Sequence, residues 1–253
     1  MITAARIRVA LAQSIELDAY LTDIAQKTPS HHFLGGATQA CYIRMVNLLA
    51  AIYEARERPL STVRVLDWGT GKGHISYLMR SLGFNVTSCD LKSIAGDSTF
   101  GQITPILEEQ NLEVVPLFDP WILPFRGQQF DLVVSFGVLE HVENDFESLK
   151  EIRRVLKPDG VFFFSFLPYW LSWSQWLARL RGDWYHPRLY RKKMLKQMAE
   201  AAGFSVGGVW HGQLLPKNSF PHNNRIERAD RFATTFTPLK YFATNLEGIL
   251  VAE

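Results

Sequence analysis

The stretch VLDWGTGKG, residues 65–73, places three glycines at alternate positions directly behind a short apolar run. Glycine at Gly69, Gly71 and Gly73 lets the backbone turn tightly after a strand and lets a ligand approach where a Cβ atom would clash. A plain turn between a strand and a helix needs only one of them, so the three together favour a nucleotide-like ligand. Taken alone, the stretch leaves a dinucleotide, a nucleoside triphosphate and S-adenosylmethionine as alternatives.

The residues around these glycines discriminate between the three ligands. A phosphate-cradling loop ends in Gly-Lys-Ser or Gly-Lys-Thr, whereas Lys72 is followed by Gly73 and His74. His74 also stands where the dinucleotide fingerprint requires its third glycine. Asp67, ahead of the glycines, would repel a pyrophosphate but can accept hydrogen bonds from a cationic amino-acid ligand. A ligand with sulfonium and ammonium groups therefore suits this loop best.

A second acid closes the next apolar run, in TSCDL at residues 87–91. Asp90 lies at the end of the predicted second strand, where a carboxylate can accept hydrogen bonds from both ribose hydroxyls. A dinucleotide and S-adenosylmethionine would use this acid equally well. Asp90 therefore predicts an adenosine ligand without identifying the chemistry.

The composition is that of an ordinary globular protein. The chain has 253 residues, of which 47% are hydrophobic and 21% charged, which excludes disordered and fibrous classes. A net charge of +2 gives no indication of a surface built for nucleic acid. Two cysteines, Cys41 and Cys89, are too few for a disulfide framework, and the apolar run over 161–173 is too short to span a bilayer. We expect a soluble protein of a reducing cytoplasm.

The apolar pattern divides the chain into an N-terminal helical cap, residues 1–60, and a larger α/β domain, residues 61–253. In the cap, helical spacing predicts one helix over Ala4–Lys27 and a second that runs from Thr38, as its N-cap, to Ile52. After residue 60, short apolar runs alternate with helical segments, which is typical of a parallel sheet covered by helices on both faces.

These runs predict a doubly wound, mostly parallel sheet of seven strands. The predicted strands are Val63–Leu66, Asn85–Cys89, Val114–Leu117, Asp131–Phe136, Val161–Phe166 and Phe204–Trp210. The predicted helices are His74–Ser81, Ile103–Gln110, Asp145–Leu156 and Lys192–Ala202. The last stretch, NLEGILVAE at 245–253, is predicted to return as an edge strand. Residues 167–190 and 211–242 are predicted inserts.

Four segments, in this order, resemble the class I S-adenosylmethionine-dependent methyltransferases, in the branch that includes the ubiquinone and menaquinone biosynthesis methyltransferases. The segments are VLDWGTGKG, CDL at 89–91, FDPWILPF at 118–125, and FDLVVSFGVLEHV at 130–142 followed by EIRRVLKPDG at 151–160. The resemblance covers residues 61–166. It implies a Rossmann-like methyltransferase fold, with S-adenosylmethionine as cofactor and S-adenosylhomocysteine as product.

The resemblance also implies which residues contact the cofactor. The candidates are Asp67, Gly69, Thr70, Gly71, Gly73, Asp90, Leu91, Asp119, Pro120, Trp121, Ser135 and Phe136. Asp119 matches the acid that pairs with the adenine amino group. Pro120 and Trp121 stand where the family has a small residue and an acid, and Trp121 is a candidate for covering the adenine face. Ser135 and Phe136 end the fourth strand, after which the backbone holds the methionine part.

The end of the fourth strand argues against a nucleic-acid acceptor. The amino methyltransferases that modify nucleic acids resemble this fold but end that strand with Asn or Asp, two prolines and an aromatic, whereas this sequence reads Ser-Phe-Gly-Val at 135–138. Neither cysteine stands in the Pro-Cys loop of the carbon-5 pyrimidine enzymes. We therefore expect a small, hydrophobic or lipid-linked acceptor. A methyltransferase acting on RNA or protein, and a non-catalytic S-adenosylmethionine-binding module, are the alternatives.

Methyl transfer from a sulfonium is an in-line displacement, which needs alignment and exclusion of water more than it needs an acid or a base. If the acceptor has to lose a proton, His141 is the candidate catalytic base, because it follows the fourth strand and titrates near neutral pH. Alternatively, His141 orients its loop through hydrogen bonds to the backbone. Glu140 is either a ligand of the methionine region or a helix-start carboxylate favoured by the helix dipole, and we favour the second interpretation.

Candidate substrate contacts are His31, in the loop HHFLGG at 31–36, and Trp170 and Tyr190 in the aromatic and basic insert. No acid or cysteine near His31 indicates a metal site, so no metal ligand is predicted. Aromatic residues at helical spacing, followed by clustered Arg and Lys, are typical of a helix at an anionic lipid surface and equally of a lid with a solvated basic edge. The first interpretation predicts a peripheral membrane contact through residues 169–196.

Overall fold

The computed structural model describes residues 16–28, 34–91, 104–119, 121–184, 186, 188–215 and 222–253. The strands are β1 (Arg64–Trp68), β2 (Asn85–Leu91), β3 (Val114–Leu117), β4 (Phe130–Phe136), β5 (Leu156–Pro168), β6 (Phe204–His211) and β7 (Asn245–Ala252). The helices are α1 (Ala19–Lys27), α2 (Gly36–Glu54), α3 (His74–Ser81), α4 (Pro105–Glu109), α5 (Asp145–Val155), α6 (Trp173–Leu180), α7 (Lys192–Ala201) and α8 (Asn224–Phe236). Short 3₁₀ turns lie at Leu60–Thr62 and Pro238–Phe242.

The strands form one seven-stranded sheet in the order β3-β2-β1-β4-β5-β7-β6. β1 pairs in parallel with β2 on one side and with β4 on the other, where Asp67 lies opposite Ser88 and Val134 respectively. The chain therefore winds outward in both directions from β1, and the crevice between β1 and β4 is the switch point at which such sheets bind ligands. The predicted doubly wound, mostly parallel sheet is confirmed.

β7 is antiparallel and lies inside the sheet, between β5 and β6. The prediction of an edge strand for residues 245–253 is therefore wrong. Nearly every residue of β7 is buried, as expected for a strand that has a neighbour on each side and packing on both faces. The insert over 211–242 is also more regular than predicted, because it contains α8, whose N-cap Asn223 accepts hydrogen bonds from the backbone N–H groups of Arg225 and Ile226.

Helices cover both faces of the sheet. On one face, α2 and α3 pack in a cluster that includes Leu49, Met79 and Phe163 of β5. On the other face, α5 and α7 contribute Ile152 and Leu195 to a second cluster. Because both faces are packed, the ends of β1, β2 and β4 are held firmly, and the loops that follow these ends are the parts of the sheet edge that a ligand can reach.

Two helix starts differ from the prediction. α1 begins at Ala19, where the N-cap Asp18 accepts a hydrogen bond from the backbone N–H of Leu21 at 2.9 Å, so the predicted helix is not continuous through residues 16–18. Its part before residue 16 lies outside the described residues. α2 begins at Gly36 with Gly35 as N-cap, and Thr38, the predicted N-cap, is a buried residue inside the helix.

Candidate functional site

The loop between β1 and α3 holds its three glycines in left-handed conformations, for different reasons. At Gly69 (φ +76°) a Cβ atom would overlap the side chain of Val138, and at Gly73 (φ +85°) it would lie 2.5 Å from Leu107. At Gly71 (φ +52°) a Cβ atom would meet no described atom within 4 Å. The protein's own packing requires glycine at positions 69 and 73, whereas the space beside Gly71 is open to a ligand.

Asp90, at the end of β2, borders this open space. It is 8% exposed, and its Oδ2 accepts a hydrogen bond from the backbone N–H of Gly71 at 2.5 Å, while its Oδ1 accepts one from the N–H of Leu91 at 2.7 Å. Burial raises the pKa of the carboxyl group, and the two N–H groups oppose this shift. The fold thus brings the predicted residues Gly71 and Asp90 together from separate strand ends.

Asp67, in β1, belongs to a buried network of hydroxyl groups. It is 2% exposed, and its Oδ2 accepts hydrogen bonds from Ser76 Oγ at 2.6 Å and from Thr70 Oγ1 at 2.7 Å. Ser76 Oγ also lies 2.7 Å from Ser88 Oγ on β2. Burial raises the pKa of Asp67 to about 6, although the two hydroxyl groups lower it. Asp67 and Thr70, both predicted cofactor contacts, therefore fix the shape of the loop through bonds to each other.

The adenine-side candidates lie on the loop after β3. β3 pairs with β2 so that Pro116 lies opposite Asp90, and this brings Asp119 to the same edge of the sheet. Asp119 is exposed and Trp121 is half-buried, while Pro120 lies outside the described residues. The position of Asp119 is compatible with its predicted pairing to adenine, which stays a prediction.

Aromatic rings surround the end of β4, and the sequence analysis missed most of them. The ring centroid of Phe136, a predicted cofactor contact that follows the buried Ser135, lies 6.0 Å from that of Tyr42 and 6.3 Å from that of Phe166. The ring of Tyr42, on α2, also lies 4.5 Å from the ring of His74 at the start of α3. These rings come from four separate elements, so no local sequence pattern groups them.

His141, the candidate base, lies beside Glu140 and His186. Its Nε2 is 3.9 Å from Glu140 Oε1, and the ring centroids of the two histidines are 5.4 Å apart. Burial lowers the pKa of His141, so the neutral ring is the form present at pH 7. Glu140 is buried in a turn, and α5 begins at Asp145 with Asn144 as its N-cap, so the interpretation of Glu140 as a helix-start carboxylate is wrong.

The same three residues could hold a metal ion. One ligand atom from each of Glu140, His141 and His186 lies within 4.8 Å of the other two. Two imidazoles and one carboxylate form a donor set that zinc accepts. Sequence spacing does not reveal this set, because His186 comes from the insert and meets the other two only in the folded chain.

The two described substrate candidates of the insert differ in exposure. Tyr190 is fully buried, and its hydroxyl donates a hydrogen bond to Asp145 Oδ2 at 2.8 Å, which anchors the insert to α5. This geometry replaces the predicted substrate contact of Tyr190 by a structural role. Trp170 is half-buried, with the guanidinium carbon of Arg191 3.9 Å from its ring centroid. His31, the third candidate, lies outside the described residues.

The comparisons with known proteins agree with this geometry. A family model described as a methyltransferase domain matches residues 35–207. The ubiquinone biosynthesis O-methyltransferase of Caulobacter vibrioides is 28% identical over 159 residues, which cover 60% of this chain and 61% of that protein. The protein of the same description from Coxiella burnetii is 26% identical over 191 residues, which cover 70% of this chain and 79% of that protein. The match to the Caulobacter relative thus spans less than two thirds of its length.

A solved S-adenosylmethionine-dependent methyltransferase from Thermotoga maritima has the same fold, with a TM-score of 0.58 and 13% identity over 92% of this chain and 99% of that one. The family model covers more than half of the chain and includes the glycine loop, Asp90 and β4. The open space at Gly71, bordered by the Asp90 carboxylate, is a cradle that suits a nucleoside with a cationic amino-acid chain. The chain therefore belongs to the methyltransferase domain family, within the class I S-adenosylmethionine-dependent methyltransferases, and S-adenosylmethionine is its cofactor.

Proposed function

We propose that the protein transfers the methyl group of S-adenosylmethionine to a hydroxyl oxygen of a small, hydrophobic or lipid-linked acceptor. The observation that carries this proposal is the open space at Gly71, bordered by Asp90, on the same sheet edge as His141 after β4. The two relatives described above are O-methyltransferases of ubiquinone biosynthesis, which supports an oxygen atom on a hydrophobic molecule as the acceptor.

The cofactor-side residues act by binding and orientation. The carboxylate of Asp90 accepts charge-assisted hydrogen bonds from the ribose hydroxyls, and Gly71 lets the ligand approach the loop backbone closely. Asp119 pairs with the adenine amino group. The rings of Tyr42 and Phe136 exclude water beside the reacting methyl group, so that the acceptor oxygen is held in line with it.

His141 takes the proton that the acceptor loses. When bound, the cofactor would supply a sulfonium methyl group to the acceptor oxygen, and the electron pair of the broken carbon–sulfur bond would stay on sulfur. The hydroxyl proton passes to a ring nitrogen of His141, whose lowered pKa keeps it neutral beforehand. The carboxylate of Glu140, 3.9 Å away, stabilises the imidazolium that results. Base catalysis of this kind contributes about 10²- to 10⁴-fold to the rate.

The surface of the insert supports a hydrophobic or membrane-borne acceptor. Its exposed apolar side chains are Trp173, Trp176, Leu177, Leu180 and Trp184. Arg179 and Arg181 lie among them, and apolar side chains next to cations are what an interfacial helix presents to an anionic lipid surface. Within the described ranges, no helix has the length and apolar character needed to cross a bilayer. A peripheral membrane contact through residues 169–196 is therefore part of the proposal.

Incubation with methyl-labelled S-adenosylmethionine and a total cell extract tests the acceptor class. We expect the label in the lipid or hydrophobic small-molecule fraction, and much less label with Asp90→Ala at a cofactor concentration near the wild-type Kd. Label that accumulates in RNA or protein instead would show a macromolecular acceptor. Tight cofactor binding without transfer to any fraction would show a non-catalytic binding module.

Sedimentation with lipid vesicles tests the membrane contact separately. We expect the wild-type protein to pellet with phosphatidylglycerol vesicles more than with phosphatidylcholine vesicles, because the insert carries both apolar and cationic side chains. The double variant Trp176→Ser, Leu180→Ser should pellet less. Ile122→Ser, which removes an exposed apolar side chain outside the insert, is the control. Equal pelleting of the two variants would contradict the contact.

A further inference from the structure

A cavity of about 560 Å³ lies between α8, the end of β6 and the start of β7. Its volume is in the range of small-molecule binding sites. The residues that line it include Arg44 of α2, Trp210 and Glu247 of the sheet, and Arg228, Arg231 and Phe236 of α8. Neither the glycine loop nor Asp90 is part of its walls, so the cavity is distinct from the cofactor site.

The carboxylates that face this cavity are already engaged by the protein. Glu247 is 1% exposed; its Oε1 lies 3.5 Å from Arg44 Nη2, and its Oε2 accepts a hydrogen bond from Trp210 Nε1 at 2.9 Å. Asp230 accepts hydrogen bonds from the backbone N–H groups of residues 214–215, at distances from 2.8 to 3.3 Å. Among the described residues, the walls thus carry three arginines against two carboxylates, and neither carboxylate forms an ion pair with Arg231.

Arg231 forms no ion pair with Glu247 or Asp230. Its Nε is buried and has no hydrogen-bond partner among the residues that the structure describes. Burial lowers the pKa of Arg231, and the charge of Arg44 lowers it further, while Glu227 opposes the shift. Arg228 brings another cation to the same wall. A buried N–H group without a partner is costly, and an anion that accepts a hydrogen bond from it would remove this cost.

Along α8, the side chains that line the cavity change from charged to aromatic. Arg228, Phe232 and Phe236 are spaced four residues apart and therefore lie on one face of the helix, with Arg231 beside them. The rings of Phe232 and Phe236 are 5.5 Å apart, and the two side chains are 60% and 61% exposed. Trp210 faces them from the sheet. A ligand with a charged head and an apolar body matches this order.

We infer that this cavity binds an amphipathic organic anion, a carboxylate carried on an apolar chain, as a ligand separate from S-adenosylmethionine. The carboxylate contacts Arg231 in the middle of α8, and the apolar chain lies against Phe232, Phe236 and Trp210. The inference depends on the charges and shape of this cavity, and it holds whichever acceptor is methylated.

Calorimetric titration of the full-length protein with decanoate, decanol and acetate tests the inference without any substitution. We expect decanoate to bind at one site and decanol to bind at least about tenfold more weakly, because the carboxylate and the apolar chain both contribute to the affinity. For the same reason, acetate should not displace decanoate. S-adenosylmethionine should not displace decanoate. Equal affinities for decanoate and decanol would overturn the inference, and so would displacement by the cofactor.

Arg231→Gln tests the headgroup contact itself. We expect its decanoate affinity to be about 10- to 100-fold below that of the wild type, with the affinity for decanol unchanged. Arg225→Gln, an exposed position of α8 outside the cavity walls, is the matched control and should bind decanoate normally. Unchanged S-adenosylmethionine affinity shows that both variants are folded. Equal decanoate affinities of the two variants would refute the contact.

Discussion

Gly71→Ala should weaken cofactor binding while leaving the fold nearly intact. A Cβ atom at this position meets no described atom within 4 Å, so the protein itself has room for the methyl group. The space it would occupy is the one that we assign to S-adenosylmethionine. The hydrogen bond from the backbone N–H of residue 71 to Asp90 survives the substitution, because alanine keeps that N–H group.

The expected magnitudes separate the two effects. An L-residue at φ +52° costs roughly 1–2 kcal/mol, offset in part by the lower entropy of the unfolded alanine variant, so the net loss of stability is about 1 kcal/mol. In a chain of this size, that lowers Tm by about 2–4 °C. A methyl group forced into the ligand's space costs about 1–3 kcal/mol, which corresponds to a roughly 5- to 150-fold higher Kd for S-adenosylmethionine.

Gly83→Ala is the matched control. Gly83 also has a left-handed backbone, with φ +96° and no described atom within 4 Å of its Cβ position, but it lies in the turn after α3, away from the carboxyl edge of the sheet. Thermal melting and calorimetric titration of both variants should give similar losses of Tm, with weakened cofactor binding only for Gly71→Ala. If Gly71→Ala binds S-adenosylmethionine as tightly as Gly83→Ala, the assignment of the open space is wrong.

Three further expectations concern acids and a base of the same site. Asp90→Ala should weaken S-adenosylmethionine binding by about 1.5–3 kcal/mol in calorimetry, because a buried charge-assisted contact is lost; an unchanged Kd would exclude the ribose role. His141→Asn should lower kcat by about 10²-fold or more. Because burial lowers the pKa of His141 and the base acts when neutral, the wild-type rate should fall only when the pH drops below the usual histidine pKa of 6.5. A pH profile that is the same with and without His141 would contradict this role. Folding raises the pKa of Asp67 from 3.8 to about 6, so the carboxyl group holds its proton more tightly in the folded state than in the unfolded state. Above pH 6 the ionised carboxylate therefore lowers the free energy of unfolding by up to about 3 kcal/mol, and this loss disappears as the pH falls towards 4. In urea unfolding at several pH values, Asp67→Asn should flatten this part of the pH dependence.

The sequence predicted the half of the sheet where each strand is followed by its helix. Around β1, the apolar run, the glycines and the helix from His74 to Ser81 are contiguous, so a local period suffices to find them. The ends of β2 and β4 were found in the same way, and with them Asp90, Ser135 and Phe136. In such units the position of a residue after a strand also gives its place on the sheet edge, which is why these cofactor candidates lie on one edge.

The other half depends on long-range pairing, and local patterns did not predict it. The sequence predicts β7 as an edge strand, because an apolar run does not reveal that the strand pairs with β5 and β6 on its two sides. α8 lies in residues 211–242, for which the sequence predicts an insert and no helix. Glu140 and His141 meet His186 because the insert folds back onto the loop after β4. His186 lies far from the other two along the chain, so no spacing in the sequence indicates the cluster.

The glycine loop itself shows what the fold adds to a motif. Gly69, Gly71 and Gly73 look alike in the sequence, because they stand at alternate positions after the strand and each permits a left-handed backbone. In the fold, Val138 fills the space beside the first and Leu107 the space beside the third, so of these three glycines Gly71 alone has no described atom close to its Cβ position. The cofactor site is therefore shaped by side chains far along the chain, which occupy two of the three positions that the motif leaves open.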